Sequence, residues 1–299
     1  MSSLAPGDRP ARLSVGTIGA GRVGAVLAAA LGRAGHRVVA VSAVSRASLR
    51  RADTLVPQAS VLAPPEVAAR ADLLLLAVPD DVLPELTAGL AATEAVRPGT
   101  LVAHTCGAHG FRVLDPLAAR GALPMALHPV MTFTGTDVDI ERLAGACFGV
   151  TSPPELRPAA EALVIEMGAE PVWIEEHLRP LYHAALATGA NHLVTLVNQA
   201  AELLTQVGVD NPPRMLAPLL GAALDNALRH GDGALTGPVA RGDAGTVRDH
   251  LAVLDAPAVR AAYVAMSRLA AVRALAAGSL SPERAEALLD VLAADEGSP

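Results

Sequence analysis

Residues 13–35, LSVGTIGAGRVGAVLAAALGRAG, constrain the fold more than any other segment. The apolar run 13–18 reads as a short strand. Gly19, Ala20, Gly21, Arg22, Val23 and Gly24 follow as a glycine-rich turn, and the chain continues with helical character to Gly35. The three glycines have separate tasks. Gly19 permits the tight turn, Gly21 lets the backbone come close to a diphosphate, and Gly24 lets the helix pack tightly on the strand. The unpaired N–H groups of the first helical turn add a partial positive charge. Alone this spacing is weak. Between a strand and a helix, opening a strand–helix–strand unit, it marks a dinucleotide site.

Further apolar runs follow at 37–42, 72–79, 100–105, 124–129, 146–151 and 170–174, with helical segments between several of them. The run DLLLLAVP suits a parallel strand buried on both faces. The alternation predicts an α/β fold with a doubly wound, mostly parallel sheet. After residue 174 the strand pattern ends. Helical periods run over 178–208, 213–230, 243–254, 257–276 and 282–293, so an all-helical C-terminal domain is expected. We read a disordered tail over 1–11, a nucleotide-binding domain over 12–175 and a helical domain over 176–299.

Composition excludes several functions. All 23 basic residues are Arg, which removes any catalytic or phosphate-binding Lys. With net charge −7 and six aromatic residues, no nucleic-acid partner is expected. Two cysteines, Cys106 and Cys147, form neither a disulfide framework nor a metal set, and no metal is expected. The N-terminal segment lacks a secretory apolar run, which predicts a cytoplasmic protein. Residues 180–201 carry no formal charge, but their His and Asn residues favour a buried helix over a membrane span.

The end of the second strand speaks to the dinucleotide. NAD sites place Asp or Glu there for the ribose 2′-hydroxyl. This chain has Ser45 and Arg46 instead, with Arg50 and Arg51 one turn later. A hydroxyl and a guanidinium suit a 2′-phosphate, so NADP(H) is expected, with Ser45 and Arg46 in contact and Arg50 and Arg51 solvated. Ligands of open α/β sheets lie beyond the carboxyl ends of the strands. Val78, Pro79 and Asp80 fall there, although Asp80 equally reads as a helix N-cap. So do His104, equally a structural hydrogen-bonder, and His128, a candidate to face the substrate. Cys106 reads as a packing residue.

Together TIGAGRVG, AVPDD, HTCGAHG, HPVMTFTG, YHAALATGANHLVTL and LTGPVARGDAGTVRDHL resemble a bacterial family of Rossmann-like oxidoreductases whose C-terminal domain is of unknown function. That family is similar to pyrroline-5-carboxylate reductase, ketopantoate reductase, prephenate dehydrogenase and the 6-phosphogluconate and hydroxyisobutyrate dehydrogenases. The resemblance implies an N-terminal Rossmann domain for NADP, a 6-phosphogluconate-dehydrogenase-like helical domain, a site in the cleft between them and a homodimer through the helical domain. One departure matters: several relatives use a Lys on the first long helix of the second domain, and residue 187, one turn before Asn191, is Ala. Their Lys mechanism does not carry over.

On that helix His183 and Asn191 share one face, with Tyr182 and His192 pointing elsewhere by periodicity. The segment 235–243 reads as a polar loop in which Thr236 and Arg241 are substrate candidates and Asp243 caps the next helix. The expected activity is hydride transfer to a small carboxylate-bearing keto acid or imine. His128 or His183 is the proton donor at an ordinary imidazole pKa, and Asn191 orients the acceptor. The alternative is a catalytically silent NADP(H)-binding sensor, which the absence of Lys favours.

Overall fold

The structure, a computed structural model, describes residues 12–294; the tail expected over residues 1–11 lies outside them. Eight strands form one sheet: β1 (Ser14–Ile18), β2 (Arg37–Ser42), β3 (Ser60–Val61), β4 (Leu73–Leu76), β5 (Leu101–His104), β6 (Leu123–Pro129), β7 (Cys147–Thr151) and β8 (Glu170–Trp173). Their order is β3-β2-β1-β4-β5-β6-β7-β8. All neighbours are parallel except β6 and β7, which pair antiparallel with His128 opposite Gly149. Helices α1 (Arg22–Arg33), α2 (Arg46–Leu55), α3 (Pro64–Arg70), α4 (Leu83–Ala92), α5 (Asp115–Ala118), α6 (Val138–Leu143) and α7 (Arg157–Glu166) lie between strands. This is the expected doubly wound sheet. The two-residue β3 was not expected, being too short to carry an apolar period.

The leucine run of β4 shows why the sheet is covered on both faces. Successive strand side chains point to opposite sides. Leu73 and Leu75 join one apolar cluster with Leu27, Leu31 and Phe148, whereas Leu74 and Leu76 join the other with Leu83, Leu90 and Leu117. Each buried leucine contributes roughly 2 kcal/mol of transfer free energy. Helix α1 lies close on the sheet because its buried stretch begins at Gly24 and is rich in Ala.

After β8 come α8 (Arg179–Gln206), α9 (Pro212–His230), α10 (Gly237–Arg241), α11 (Ala244–Val253), α12 (Pro257–Ala276) and α13 (Pro282–Ala294). The chain divides into two compact units, the first ending at Ala190 and the second starting at Asn191. The division falls inside α8 rather than at residue 175. The reason is Arg179, fully buried, whose guanidinium reaches Ala126, Gly149 and Thr151 of β6 and β7 and ties the first turn of α8 to the sheet. The second unit has its own core, including Val247, Leu251, Val264, Leu288 and Leu292. The segment expected as a loop at 235–243 contains α10. Among the described residues, no helix is long and apolar enough to cross a membrane.

Candidate functional site

The glycine turn joins β1 to α1. Gly19 has φ +96°, and a side chain there would strike the Ala77 carbonyl at the end of β4. A side chain on Gly24 would strike the Gly19 carbonyl and meet Ala77 Cβ at 2.8 Å. A side chain on Gly21 would meet nothing within 4 Å. The first and third tight positions thus serve the fold, while the middle one faces open space. Gly19 and Ala20 spend their N–H groups on the Ser42 carbonyl of β2. Gly21 is the N-cap of α1 with no side-chain cap bond, so the N–H groups at Arg22 and Val23 begin a helix whose orphan donors are available to an anion. Arg22 is exposed and Val23 half-buried.

At the end of β2 Ser45, expected against a 2′-phosphate, is exposed and also caps a helix. The Ser45 hydroxyl is the N-cap of α2: it accepts from Ser48 N at 3.0 Å and lies 3.0 Å from Ser48 Oγ. Because Ser48 Oγ donates to the Ser45 carbonyl, the Ser45 proton goes to Ser48 Oγ, and the hydroxyl is engaged locally. Arg46, the first residue of α2, is exposed. Arg51, expected to be solvated, is half-buried: a Cβ built on Gly135 would lie 2.6 Å from Arg51 Nε and 3.1 Å from Arg22 Cγ. The loop carrying Gly135 is pinned by Asp139. This fully buried carboxylate accepts from Thr134 N, Gly135 N and Thr134 Oγ1. Burial pushes its pKa up, but the bonds from Gly135 and Thr134 prevail and hold it below the usual value.

The loop after β5 is built on His104. Its ring is fully buried; Nε2 donates to the Gly110 carbonyl at 2.8 Å and Nδ1 accepts from Cys106 N at 3.2 Å. Burial, opposed by the Gly110 bond, lowers its pKa to about 4. Both nitrogens are used, so His104 shapes the loop and has none to offer a cofactor. Cys106 is buried, its thiol 3.7 Å from the Val78 carbonyl. Burial and neighbouring Asp80 raise its pKa far above the usual thiol value, so it is no nucleophile. Asp80 does not cap α4, whose N-cap is Val82. Its Oδ2 is buried with no hydrogen-bond partner. Val78 is half-buried and Pro79 exposed.

His128 stands in β6 beside this loop. Its Nδ1 lies 2.8 Å from Tyr182 Oη, and its ring meets that of His183 edge-on at 6.0 Å. A Cβ on Gly107 would lie 2.5 Å from His183 Cδ2 and 3.0 Å from His128 Nε2, so only glycine lets the loop reach these rings. Tyr182 rests on Gly149, where a Cβ would collide with its hydroxyl, and Arg179 lies 5.5 Å from its ring. Burial, Arg179 and His183, against Asp80, lower the His128 pKa to about 4. His128 is therefore neutral at physiological pH, which corrects the expectation of a donor at an ordinary imidazole pKa. Burial raises the Tyr182 pKa, while Arg179 and the Gly149 backbone work against it.

The structure thus brings His128 and His183 together and adds Tyr182 and Arg179, which periodicity alone had set aside or passed over. An overlooked signal was Arg179 itself, a charge directly before an uncharged helix. The remaining candidates belong to the second unit. Asn191 is exposed on α8, eight residues past His183 along the helix. Thr236 is the N-cap residue of α10 and lines a cavity of about 560 Å³ with Asn226 and Arg273. Arg241 is exposed, and Asp243 caps α11 through Thr246, as expected.

Residues 2–129 match a family profile described as a Rossmann-like domain, and residues 146–270 match one described as a domain of unknown function, DUF2520. No curated protein matches the chain. Among solved structures, a provisionally named NADP oxidoreductase from Bacteroides fragilis is 25% identical with a TM-score of 0.73, covering 87% of this chain and 98% of that one. An imine reductase from Pseudomonas sp. is 20% identical with a TM-score of 0.61, covering 94% and 100%. Pyrroline carboxylate reductase from Plasmodium falciparum, solved with NADP bound, is 11% identical with a TM-score of 0.54, covering 88% and 98%.

Proposed function

We propose that this chain, which matches a Rossmann-like domain followed by DUF2520, is an NADP(H)-dependent reductase of a small carboxylate-bearing keto acid or imine. The observation that carries the reading is one edge of one sheet. The glycine turn leaves β1, the Val78–Asp80 turn leaves β4, the Gly107 loop leaves β5, and His128 is the last residue but one of β6. In the order β1-β4-β5-β6 these are successive neighbours. Strands lie about 4.8 Å apart, so His128 is roughly 14 Å from the glycine turn. A ribosyl nicotinamide and a small acceptor can span that distance.

The residues present fit the dinucleotide. Gly21 opens onto free space above the unpaired N–H groups of α1, where a diphosphate would be held. Arg46, Arg51 and Arg22 supply guanidinium groups near the start of α2, where a 2′-phosphate would be held, and the segment leading from β2 into α2 carries no Asp or Glu before Asp53. When bound, the reduced nicotinamide supplies a hydride. The chain supplies orientation through Val78 and Pro79, a close backbone approach at Gly107, and a hydrogen-bond donor at His128. The match in fold to reductases supports the same reading.

Calorimetric titration with NADPH, NADP⁺ and NADH tests it. NADPH is expected to bind at least tenfold tighter than NADH, and Arg46→Ala or Arg51→Ala is expected to remove that preference. Absence of binding by any dinucleotide overturns the reading. Pyrroline-5-carboxylate and ketopantoate are the first acceptors to assay. A homodimer is part of the proposal: Leu193, Val194, Met215, Leu219, Leu224 and Leu228 on α8 and α9 are exposed, an apolar surface suited to a second copy. Light scattering at micromolar concentration should give twice the chain mass.

A further inference from the structure

We infer that His128 acts as a relay: it presents Nε2–H to the acceptor and is resupplied at Nδ1 by Tyr182, with Arg179 standing beside the tyrosine as its buried cation. The inference rests on the reductase reading and names the route of the proton within that site.

The argument begins with hydrogen-bond accounting. A neutral imidazole has one donor and one acceptor nitrogen, and the partner of each decides the tautomer. Between a phenol and a neutral imidazole, the phenol O–H is the stronger donor and the imidazole nitrogen the stronger acceptor. The hydrogen-bond partner of Tyr182 Oη is His128 Nδ1, 2.8 Å away. Tyr182 therefore donates to Nδ1, and the His128 proton resides on Nε2. That atom lies against Gly107, the residue whose missing side chain leaves room there.

The charges around the pair point the same way. Arg179 and His183 face His128 from α8, and Asp80 faces it from the turn after β4. Arg179 is fully buried. Its Nε donates to Thr151 Oγ1 at 2.7 Å and one terminal nitrogen donates to the Gly149 carbonyl at 2.9 Å, all neutral partners, while Nη1 has no hydrogen-bond partner. A buried cation bonded to neutral groups disfavours imidazolium beside it and favours a negative oxygen on Tyr182. His128 is thus held neutral, and a neutral imidazole gives up Nε2–H readily only if Nδ1 gains a proton at the same time.

The proton balance closes. As reduction breaks the π bond of the acceptor, its oxygen or nitrogen gains an electron pair. The His128 Nε2–H bond breaks and an O–H or N–H bond forms on the acceptor. The Tyr182 O–H bond breaks and an Nδ1–H bond forms, leaving tyrosinate beside Arg179. The nascent alkoxide or amide is a much stronger base than tyrosinate, so the transfer runs downhill even for a tyrosine whose pKa is raised by burial. Return of the Nδ1 proton to Tyr182 and uptake of one solvent proton at Nε2 restore the pair. Tyr182 is a positioning residue, acting through His128.

The test joins a spectrum to a pH profile. Long-range ¹H–¹⁵N correlation of ¹⁵N-histidine-labelled protein, with and without NADP⁺, reports the His128 tautomer directly. The expected result is the Nε2–H tautomer, uncharged from pH 5.5 to 8.5, with the Nδ1 resonance moving in Tyr182→Phe. In NADPH oxidation with pyrroline-5-carboxylate, the wild-type rate should be level over that range. Tyr182→Phe keeps the ring on Gly149 but loses the hydroxyl. Its rate should fall about 100-fold at pH 7.5 and decline tenfold per pH unit, because only imidazolium then donates. An Nδ1–H tautomer, a His128 titration near pH 6.5, or a Phe variant with wild-type rate and a level profile would overturn the relay. Those outcomes leave nucleotide binding by calorimetry intact; loss of the reductase reading would show instead as no dinucleotide binding.

Discussion

His104 offers a quantitative test of how the loop facing His128 is held. Its ring is fully buried and both nitrogens are bonded in the neutral form. Burial lowers its pKa from 6.5 to about 4. In the unfolded chain the ring takes up a proton as pH falls through 6.5; in the folded chain it stays neutral to about 4. The unfolded state therefore binds more protons between those values, and stability rises with pH across the window. The contribution is fully present above pH 6.5 and is lost as pH falls toward 4. The corresponding loss at pH 4.5 is about 2.5 kcal/mol. Urea unfolding at pH 7.0, 6.0, 5.0 and 4.5 on wild type and His104→Gln measures it. Other titrating groups are common to both proteins and cancel in the difference. His104→Gln should be less stable at pH 7.0, because it cannot satisfy both Gly110 and Cys106, and the gap should narrow by about 2.5 kcal/mol by pH 4.5. Parallel stability lines would refute the reasoning and mean that the ring is protonated or solvated in the folded protein.

Three further outcomes are expected. Gly21→Ala should leave the melting temperature within a degree or two but weaken NADPH binding at least tenfold by calorimetry, since its Cβ enters only open space. Gly24→Ala should destabilise by about 1–3 kcal/mol in urea through collision with the Gly19 carbonyl. Asp139→Asn, which weakens the acceptor for two backbone N–H groups and one hydroxyl, should cost about 1–3 kcal/mol by the same measurement.

What could be read from the sequence follows the range of the forces involved. The β1 turn, the leucine strand and the α11 cap are written as short runs of adjacent residues, so their patterns are local even where, as for Gly19 and Gly24 against Ala77, the packing partner is distant. Gly19, Gly21 and Gly24 each show a distinct environment that their spacing alone implies. The pairing of Gly107 with His128 and His183 depends on three elements from separate parts of the chain, and no short period encodes it. The same limit explains Ser45. Its type suits both a phosphate and a helix cap, and the cap becomes visible only with Ser48, three residues on and buried, as its partner.

Tyr182 marks the sharper limit. Helical periodicity separates adjacent side chains by about 100°, which ranked Tyr182 away from the His183 face. Both nevertheless converge on His128, because the first turn of α8 does not lie over the sheet as a free cylinder. Arg179 anchors it to the carbonyls of β6 and β7, and at that close approach a strand histidine can touch two successive helical residues. The antiparallel pairing of β6 with β7 puts Gly149 opposite His128, and that missing side chain is what the tyrosine ring occupies. A glycine on β7, a buried arginine and a tyrosine before a histidine are each unremarkable alone. Their joint effect is to hold an imidazole neutral, in one tautomer, at the carboxyl edge of the sheet, and it requires the fold to be known before any of the three acquires a role.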